Sequence, residues 1–351
     1  MTLLERGVLA AVALATALAG VTRYAHGVSH VVAFAFATLA LAGQAWVVSF
    51  ATEQVGGRFG APITGFMQST LGNLPEFFVV LFALGAHQLI VAKTAILGSI
   101  LVNALLVLGL VIVAGTARGR GGLMRFSPRL PNDTATLLLT STFIIVLIGL
   151  ADASHDLASR HTRTISIVGA LALLIVYAAW LWGYLRSDRG PEEGVPRARM
   201  GAAASGLTLA VAGVASAFVS DWFVHALAPT IRTLHISQAF AGLVIVAIAG
   251  NAVENVTGIV LAFKGHSDLA ISVVKNSVAQ IAAFLYPLLV LVSLLTVTTL
   301  TFSLAPVYVG ALFGTAVIIW QVTGDGEATL FEGAALIAAF VILAAVAAFE
   351  G

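Results

Sequence analysis

The sequence predicts an all-α integral membrane protein with about eleven transmembrane helices: one N-terminal helix followed by two inverted five-helix repeats. Composition is the first reason, because 60% of the 351 residues are hydrophobic and only 9% are charged, against about 25% charged residues in soluble domains. The second reason is a series of apolar segments that reach the roughly 20 residues needed to cross a bilayer. The third is an internal repeat with a shift of 178 residues.

Eleven segments are long and apolar enough to span a membrane. They lie near residues 5–22, 28–51, 60–86, 89–115, 134–152, 164–185, 202–226, 237–263, 267–297, 303–322 and 329–349. The first also fits a secretory signal peptide, with a charged start and an apolar run before small residues. We interpret it as a transmembrane helix, because the topology of the other spans requires one.

The basic residues predict the orientation of the chain, since cytoplasmic loops carry an excess of Lys and Arg. With a cytoplasmic N-terminus, eleven of the 17 Lys and Arg residues fall inside, five fall outside and Lys275 falls within a helix. Eleven spans then place the C-terminus outside. The expected location is a cell membrane of the bacterial type.

Ten helices follow the first, and they divide into two groups of five. An odd number of helices per repeat inverts one half relative to the other, as in many secondary transporters with a substrate site near the bilayer midplane. The predicted division is an N-terminal helix at 1–26, a first repeat at 27–185, a cytoplasmic linker at 186–201 and a second repeat at 202–351.

Each repeat contains a carboxylate within an apolar stretch. The segments are 72-GNLPE-76 and 250-GNAVE-254, and the shift places Glu76 on Glu254 and Asn73 on Asn251. A charged side chain at the bilayer centre costs about 2.5 kcal/mol or more, so both glutamates are candidate functional residues. A structural ion pair is the alternative, but neither glutamate has a basic residue within one helical turn.

The start of each segment predicts an interruption of its helix. Gly72 and Gly250 lower helix propensity, and Pro75 removes a backbone donor, so the first segment is the more strongly predicted break. Carbonyl groups freed at this depth are tolerated where they line a cavity or bind a ligand. Together with the two glutamates they form an oxygen-rich donor set, which suits a hard cation such as Ca²⁺.

The next helix of each repeat adds polar side chains. Ser99 and Asn103 are four residues apart and Ser277 and Gln280 are three apart, so the members of each pair share a helix face. Gln68, before the first segment, is a candidate for an entry path. For each of these residues the alternative is an interhelical hydrogen bond, commonly worth about 1 kcal/mol.

These residues suffice for an antiport mechanism. Burial favours the protonated form of a carboxyl group, so each glutamate is expected to hold a proton when no cation is bound. Binding of Ca²⁺ would release both protons, and reprotonation would expel the cation. Two carboxylates predict about two protons per divalent cation, whereas exchange of a monovalent cation needs only one carboxylate.

At these residues the chain resembles the calcium/proton exchanger family of the cation/Ca²⁺ exchanger superfamily. The family's GNxPE motif and the helix that follows it are similar to 72-GNLPEFFVVLFAL-84 and 98-GSILVNALLVLG-109. Its second repeat and closing segment are similar to 250-GNAVENVTGIVLAFKG-265, 276-NSVAQIAAF-284 and 325-DGEATLFEG-333. The resemblance covers about residues 45–115 and 205–349.

The resemblance implies a core made of the third, fourth, eighth and ninth helices, with Glu76 and Glu254 as the shared Ca²⁺ and proton carboxylates. It also implies the residues that line the site, which are Asn73, Ser99, Asn103, Asn251, Ser277 and Gln280.

Two positions depart from the family. Asn255 directly follows the second glutamate, where many relatives have a histidine, so a His-based gating role is in question. Lys275 stands where relatives usually have an apolar residue, two positions before Ser277. Three interpretations of Lys275 stay open: a side chain that faces a loop or the membrane surface, a partner of an acidic residue, or a group that tunes the choice of cation.

The predicted function is therefore an antiporter that exchanges cytoplasmic Ca²⁺ for protons. A Na⁺(K⁺)/H⁺ antiporter of the same fold is the first alternative, and a cation channel is the second. An enzyme is not expected, because the chain has no HExxH or GxSxG motif and its eight histidines lie mostly at the ends of predicted helices. The expected partners are Ca²⁺, H⁺ and the lipid bilayer, without a cofactor or nucleic acid, and the chain acts as a monomer or a homo-oligomer.

Overall fold

The computed structural model describes residues 2–56, 58, 67, 70–117, 119, 122–127, 129–186 and 198–350, without the side chains of 129–135 and 184–186. Gln68 and most of the predicted 186–201 linker therefore lie outside the described residues. Over the described part the chain is almost entirely helical, as predicted.

Twelve long helices are described, besides a short 3₁₀-helix at Leu157–His161. They are α1 (Leu3–Tyr24), α2 (His30–Gly56), α3 (Leu74–Gly85), α4 (Leu89–Thr116), α5 (Arg129–Ala153), α6 (Thr162–Arg186), α7 (Ala202–Leu234), α8 (Gln238–Gly250), α9 (Ala252–Phe263), α10 (Ser267–Leu295), α11 (Pro306–Thr323) and α12 (Leu330–Ala348). Nine of those described are long and apolar enough to cross a membrane, and α8 with α9 forms a further, bent candidate. Because most of 60–73 lies outside the described residues, the count of about eleven spans stays a prediction.

The ends of two helices are fixed by capping boxes. At α1, the Thr2 side chain accepts from the Glu5 N–H while the Glu5 carboxylate accepts from the Thr2 N–H. At α12, the Thr329 N–H donates to Glu332 Oε2 at 2.7 Å, and the Glu332 N–H donates to Thr329 Oγ1. Such reciprocal bonds satisfy two donors that a helix N-terminus otherwise leaves unpaired.

A short antiparallel ribbon is the part of the fold that the sequence analysis missed. Strand β1 (Leu123–Arg125) pairs with β2 (Glu327–Thr329), with Met124 opposite Ala328. Arg125 Nε and Glu327 Oε1 are 3.0 Å apart across the pair. Three-residue strands are too short to show the alternating pattern that identifies a strand in sequence. Strand β1 lies between two predicted spans, and β2 reaches the first residue of the span predicted at 329–349.

The described chain divides into two compact units. Unit 1 contains Met1–Ala86, Ala178–Ile236 and Ala249–Val253, and unit 2 contains His87–Tyr177, Ser237–Ile248 and Glu254–Gly351. Each unit includes segments from both predicted repeats. The sequence-based division into 1–26, 27–185, 186–201 and 202–351 stays a prediction.

In unit 1 the N-terminal helix is part of the core. Val12 of α1 packs with Val47 and Val48 of α2 and with Ala212 of α7. Gly43 allows α2 to approach α1 closely, because a Cβ at this position would lie 2.8 Å from Val12 Cγ2.

In unit 2, glycines bring α4 and α8 into backbone contact. A Cβ on Gly98 would overlap the carbonyl oxygen of Leu243, and a Cβ on Gly242 would overlap the Thr94 hydroxyl. Small residues allow this close approach between membrane helices. The contact anchors the stretch of α4 that carries Ser99 and Asn103.

Gly98→Ala is expected to lower the thermal unfolding midpoint of the detergent-solubilised protein clearly, because the added methyl group meets backbone that cannot rotate away. Overpacking of this kind costs about 1–3 kcal/mol. Gly310→Ala on α11 is the matched control, since no atom lies within 4 Å of its added Cβ. Equal midpoints for the two variants would contradict the close contact between α4 and α8.

Candidate cation site

Both glutamate-containing segments interrupt helices. Asn73 is a non-helical residue directly before α3, and Asn251 separates α8 from α9, whose axes differ by 63°. The sequence analysis predicted the first segment as the stronger break because of Pro75. The second segment bends sharply without a proline, so a proline is not required for a break. Gly250 and Asn251 are both weak helix formers, which accounts for a break at that position.

The interruptions place each glutamate at the start of a helix. Glu76 is the third residue of α3 and Glu254 is the third residue of α9. The first turn of a helix presents unpaired N–H groups and the positive end of the helix dipole. A carboxylate there is more easily kept ionised than one in the middle of an apolar helix.

In unit 1, Glu76 lies beside the asparagine of the other segment. Glu76 is 2% exposed and Asn251 is 3% exposed, and Asn251 Nδ2 donates to Glu76 Oε1 at 3.2 Å. Gly250 leaves room for this contact, because a Cβ on it would lie 3.9 Å from Glu76 Cβ. Asn73 is buried as well. The structure thus brings residues of both sequence segments together around Glu76.

Ser220 is a residue of this region that the sequence analysis did not identify. It lies on α7, is fully buried, and donates its hydroxyl to the carbonyl oxygen of Pro75 at 3.2 Å. A signal existed in the sequence, since Ser216 and Ser220 are four residues apart on one face of a predicted span and both are fully buried. Serines in membrane helices are common, so spacing alone does not separate this pair from others.

In unit 2, a chain of hydrogen bonds ends on Glu254. Asn103 Nδ2 donates to Ser277 Oγ at 3.2 Å, and Ser277 Oγ donates to Glu254 Oε2. Three residues from α4, α9 and α10 are therefore joined in one network. The Ser277 hydroxyl thus orients the Glu254 carboxylate by a charge-assisted hydrogen bond.

Short π-helical segments occur close to the predicted polar positions. They span Val102–Val107 in α4 and Ile281–Leu285 in α10, and the 178-residue shift carries the first onto 280–285. Such segments are frequent at functional sites. They have no residue signature, so the sequence analysis treated both helices as regular. The face shared by Ser99 and Asn103 is therefore altered from Val102 onward.

The remaining predicted residues are placed as follows. Ser99 is fully buried on α4. Gln280 is 5% exposed, and its Oε1 accepts no hydrogen bond within the described residues. The same holds for the buried Oδ1 of Asn255. Gly72 ends the short helical stretch before Asn73.

Lys275 is inside the protein. It is 6% exposed, and its Nζ donates to Thr323 Oγ1 of α11 at 2.7 Å. The residues near it, including Ala104, Leu108 and Leu138, are apolar. Its burial argues against a side chain that faces a loop or the membrane surface. Over the described residues it forms no ion pair with a carboxylate, and a role as a partner of an acidic residue or in cation choice stays a prediction.

The donor set of the described residues fits the predicted chemistry of a hard cation. No group of three or more His, Cys, Asp or Glu side chains that could hold a metal ion is found in the part of the chain that the structure describes. The ligands available besides the two glutamates are amide, hydroxyl and carbonyl oxygens, which Ca²⁺ accepts. Binding of one ion by both glutamates stays a prediction.

Two of the known proteins that the chain is similar to are named as calcium transporters. The chain is 31% identical over 315 residues to the vacuolar calcium ion transporter of Schizosaccharomyces pombe. This match covers 87% of this chain and 76% of that protein. It is 29% identical over 304 residues to the Ca(2+)/H(+) antiporter ChaA of Bacillus subtilis, with 84% of this chain and 85% of that protein covered.

The fold is also that of solved exchangers. The structure of native YfkE matches with a TM-score of 0.81 and 26% identity, over 97% of this chain and 99% of that one. The H⁺/Ca²⁺ exchanger CAX matches in fold with a TM-score of 0.75. The sequence matches the family of sodium/calcium exchanger proteins over residues 29–185 and 204–349. The chain therefore belongs to the sodium/calcium exchanger protein family.

Proposed function

We propose that the protein is a secondary antiporter that exchanges Ca²⁺ for protons, and that Glu76 and Glu254 take up both ions. The observation that carries this proposal is the matched pair of GNxxE segments, each with its glutamate in the first turn after a helix break. The relatives named as a calcium ion transporter and as a Ca(2+)/H(+) antiporter support the choice of ions.

At Glu76, the surroundings of the carboxylate suit the binding of either a proton or Ca²⁺. Asn251 donates to Oε1, and the start of α3 favours negative charge at this position. Both features stabilise the carboxylate after its proton leaves. An approaching Ca²⁺ ion would bind the ionised, buried carboxylate. The amide oxygens of Asn73 and Asn251 are further ligands of the type that Ca²⁺ prefers.

At Glu254, the hydroxyl of Ser277 has a similar role. It donates to the carboxylate and accepts from Asn103, so the carboxylate is oriented from α10 and α4 together. The network fixes the direction of the Ser277 proton. A cation bound to Glu254 would be placed next to the oxygen of Ser277.

The net charge of the two glutamates and their bound ions favours coupled exchange over uncoupled movement of either ion. Two protonated glutamates carry no net charge, and two ionised glutamates with one Ca²⁺ also carry none. The form with both glutamates ionised and no cation has two uncompensated negative charges in an environment of low dielectric constant, which is strongly unfavourable. The protein would therefore change between its inward-open and outward-open states only when loaded with Ca²⁺ or with protons.

The proposed direction is export of cytoplasmic Ca²⁺ against an inward flow of protons, across a bacterial-type cell membrane. The excess of Lys and Arg in the predicted inside loops supports an N-terminus in the cytoplasm and a C-terminus outside. Na⁺ or K⁺ exchange is the less favoured alternative, because the relatives are named for Ca²⁺.

Proton movement in reconstituted vesicles tests this function. Purified protein is incorporated into vesicles with an internal pH indicator, and Ca²⁺, Na⁺ and K⁺ are offered in turn at equal ionic strength. Ca²⁺ is expected to drive proton movement, while Na⁺ and K⁺ leave the signal at the level of protein-free vesicles. Proton movement driven by Na⁺ or K⁺ and not by Ca²⁺ would reject the proposal in favour of the alternative.

A further inference from the structure

Unit 1 contains a small polar cavity that the exchange mechanism does not use. It lies where α1 ends and α2 begins, against α7, and has a volume of about 110 Å³. Arg23, His30, Trp222 and His225 contribute the nitrogen-bearing side chains of its lining. The volume is several times the ~10–15 Å³ that one water molecule needs, so a small polyatomic group fits.

Two buried donors in this lining have no acceptor. Arg23 Nε and Trp222 Nε1 are both inaccessible to solvent and make no hydrogen bond within the described residues. An unpaired buried donor destabilises a protein by about 1–3 kcal/mol, and more when the group is charged. Since Arg23 is permanently charged, the cavity holds a cation whose guanidinium lacks a counter-charge there.

Trp222 is held firmly in place. Its ring meets Tyr24 edge-on, with centroids 6.3 Å apart, and a Cβ on Gly20 would lie 3.0 Å from its Cη2 atom. The Arg23 guanidinium carbon is 5.3 Å from the centre of the Tyr24 ring. The unpaired indole N–H therefore belongs to a side chain whose position is set by packing.

The start of α2 adds further positive potential. This helix of 27 residues begins at His30 and has no acidic residue in its first turn. The N–H groups of a first turn have no acceptor within their helix and favour negative charge. None of the described residues that line the cavity is an aspartate or a glutamate. The described lining thus contains the cationic Arg23 and no acidic side chain, and this charge favours an anion.

We propose that this cavity binds a phosphate-type oxyanion, with Arg23 and the indole N–H of Trp222 as donors and His30 and His225 beside them. The same chemistry is offered by the phosphodiester headgroup of an anionic lipid and by free inorganic phosphate. Basic pockets between transmembrane helices are suited to lipid headgroups, and the ends of α1 and α2 are joined by a short connection where a membrane surface is predicted.

The experiment measures ligand-dependent thermal stability of the full-length protein, purified in a neutral detergent and freed of lipid. One arm adds inorganic phosphate at an ionic strength kept constant with NaCl. The other adds phosphatidylglycerol in mixed micelles, with phosphatidylcholine as the zwitterionic control. The wild-type protein is expected to show a saturable rise in unfolding midpoint with phosphate, with phosphatidylglycerol or with both.

Arg23→Gln is expected to weaken the apparent affinity for the effective ligand about tenfold or more, because a charge-assisted hydrogen bond is lost. His225→Gln, at an exposed position, is the second variant and should weaken it less. Arg232→Gln is the matched control, since it removes an exposed arginine farther along α7 that does not line the cavity.

Each outcome decides the proposal. A response to inorganic phosphate that Arg23→Gln loses identifies the free anion as a ligand, and a response confined to phosphatidylglycerol that Arg23→Gln loses identifies the lipid. Absence of any response in the wild-type protein would overturn the proposal, and so would equal responses in the wild-type protein and Arg23→Gln. Cation exchange is not measured, so failure here leaves the proposed antiport unaffected.

Discussion

Vesicles that contain the Glu76→Gln variant are expected to show no Ca²⁺-driven proton movement above that of protein-free vesicles. The glutamine keeps the size of the side chain and an oxygen that accepts from Asn251, which donates to Glu76 Oε1 at 3.2 Å. It carries neither the negative charge that Ca²⁺ requires nor an exchangeable proton. Glu254→Gln should have the same effect for the same reason.

Glu327→Gln is the control for this experiment. Glu327 lies in β2 and pairs with Arg125 at 3.0 Å, with 46% of its side chain exposed, and exposed ion pairs are worth about 0–1 kcal/mol. This variant should exchange Ca²⁺ at the wild-type rate. If Glu76→Gln retained Ca²⁺-dependent proton movement, the assignment of Glu76 as a carrier of the exchanged ions would fail.

Ser277→Ala is expected to raise the Ca²⁺ concentration for half-maximal exchange about tenfold, because the partly buried Glu254 carboxylate loses a charge-assisted donor and Asn103 loses its acceptor. The effect should appear mainly in the apparent affinity, since the carboxylate itself remains. Initial rates in vesicles over a range of Ca²⁺ concentrations measure it.

Two variants define the meaning of that result. Ser277→Thr keeps the hydroxyl and is expected to stay within about threefold of the wild-type affinity, since a shift of that size is under 1 kcal/mol. Ser272→Ala removes a hydroxyl from the same helix without touching the Asn103–Ser277–Glu254 network, and should behave as the wild-type protein. Identical affinities for Ser277→Ala and Ser272→Ala would show that the network does not support cation binding.

The local pattern of the two segments was enough to predict where the helices break. Glycine and asparagine in sequence carry a backbone preference, and each break lies at the asparagine, directly before the helix that bears the glutamate. The bend of 63° at Asn251 shows that proline is not needed for it. Backbone propensity is a local property, so it is visible in one sequence.

Contacts between distant segments were harder to predict. The polar residues that follow each glutamate segment pointed to Asn103 and Ser277, but the hydrogen bond from the Ser220 hydroxyl to the Pro75 carbonyl depends on how α7 packs against α3. The burial of Lys275 against Thr323 likewise depends on the packing of α10 and α11. Side-chain spacing within one helix does not contain this information.

The two glutamates also differ in their surroundings more than their matching motifs suggest. Glu76 accepts from the Asn251 amide, whereas Glu254 accepts from the Ser277 hydroxyl, which is itself bonded to Asn103. An inverted repeat supplies similar positions in both halves, and the residues at those positions then determine the hydrogen-bond partners of each glutamate separately.

Proton release on Ca²⁺ binding is the most direct measurement of the central claim, that Ca²⁺ and protons compete for the same glutamates. Purified protein in weakly buffered detergent solution is titrated with Ca²⁺ while released protons and bound Ca²⁺ are counted together. The account predicts about two protons released per Ca²⁺ bound, with less release in Glu76→Gln and in Glu254→Gln. Binding of Ca²⁺ with no release of protons in the wild-type protein would contradict it.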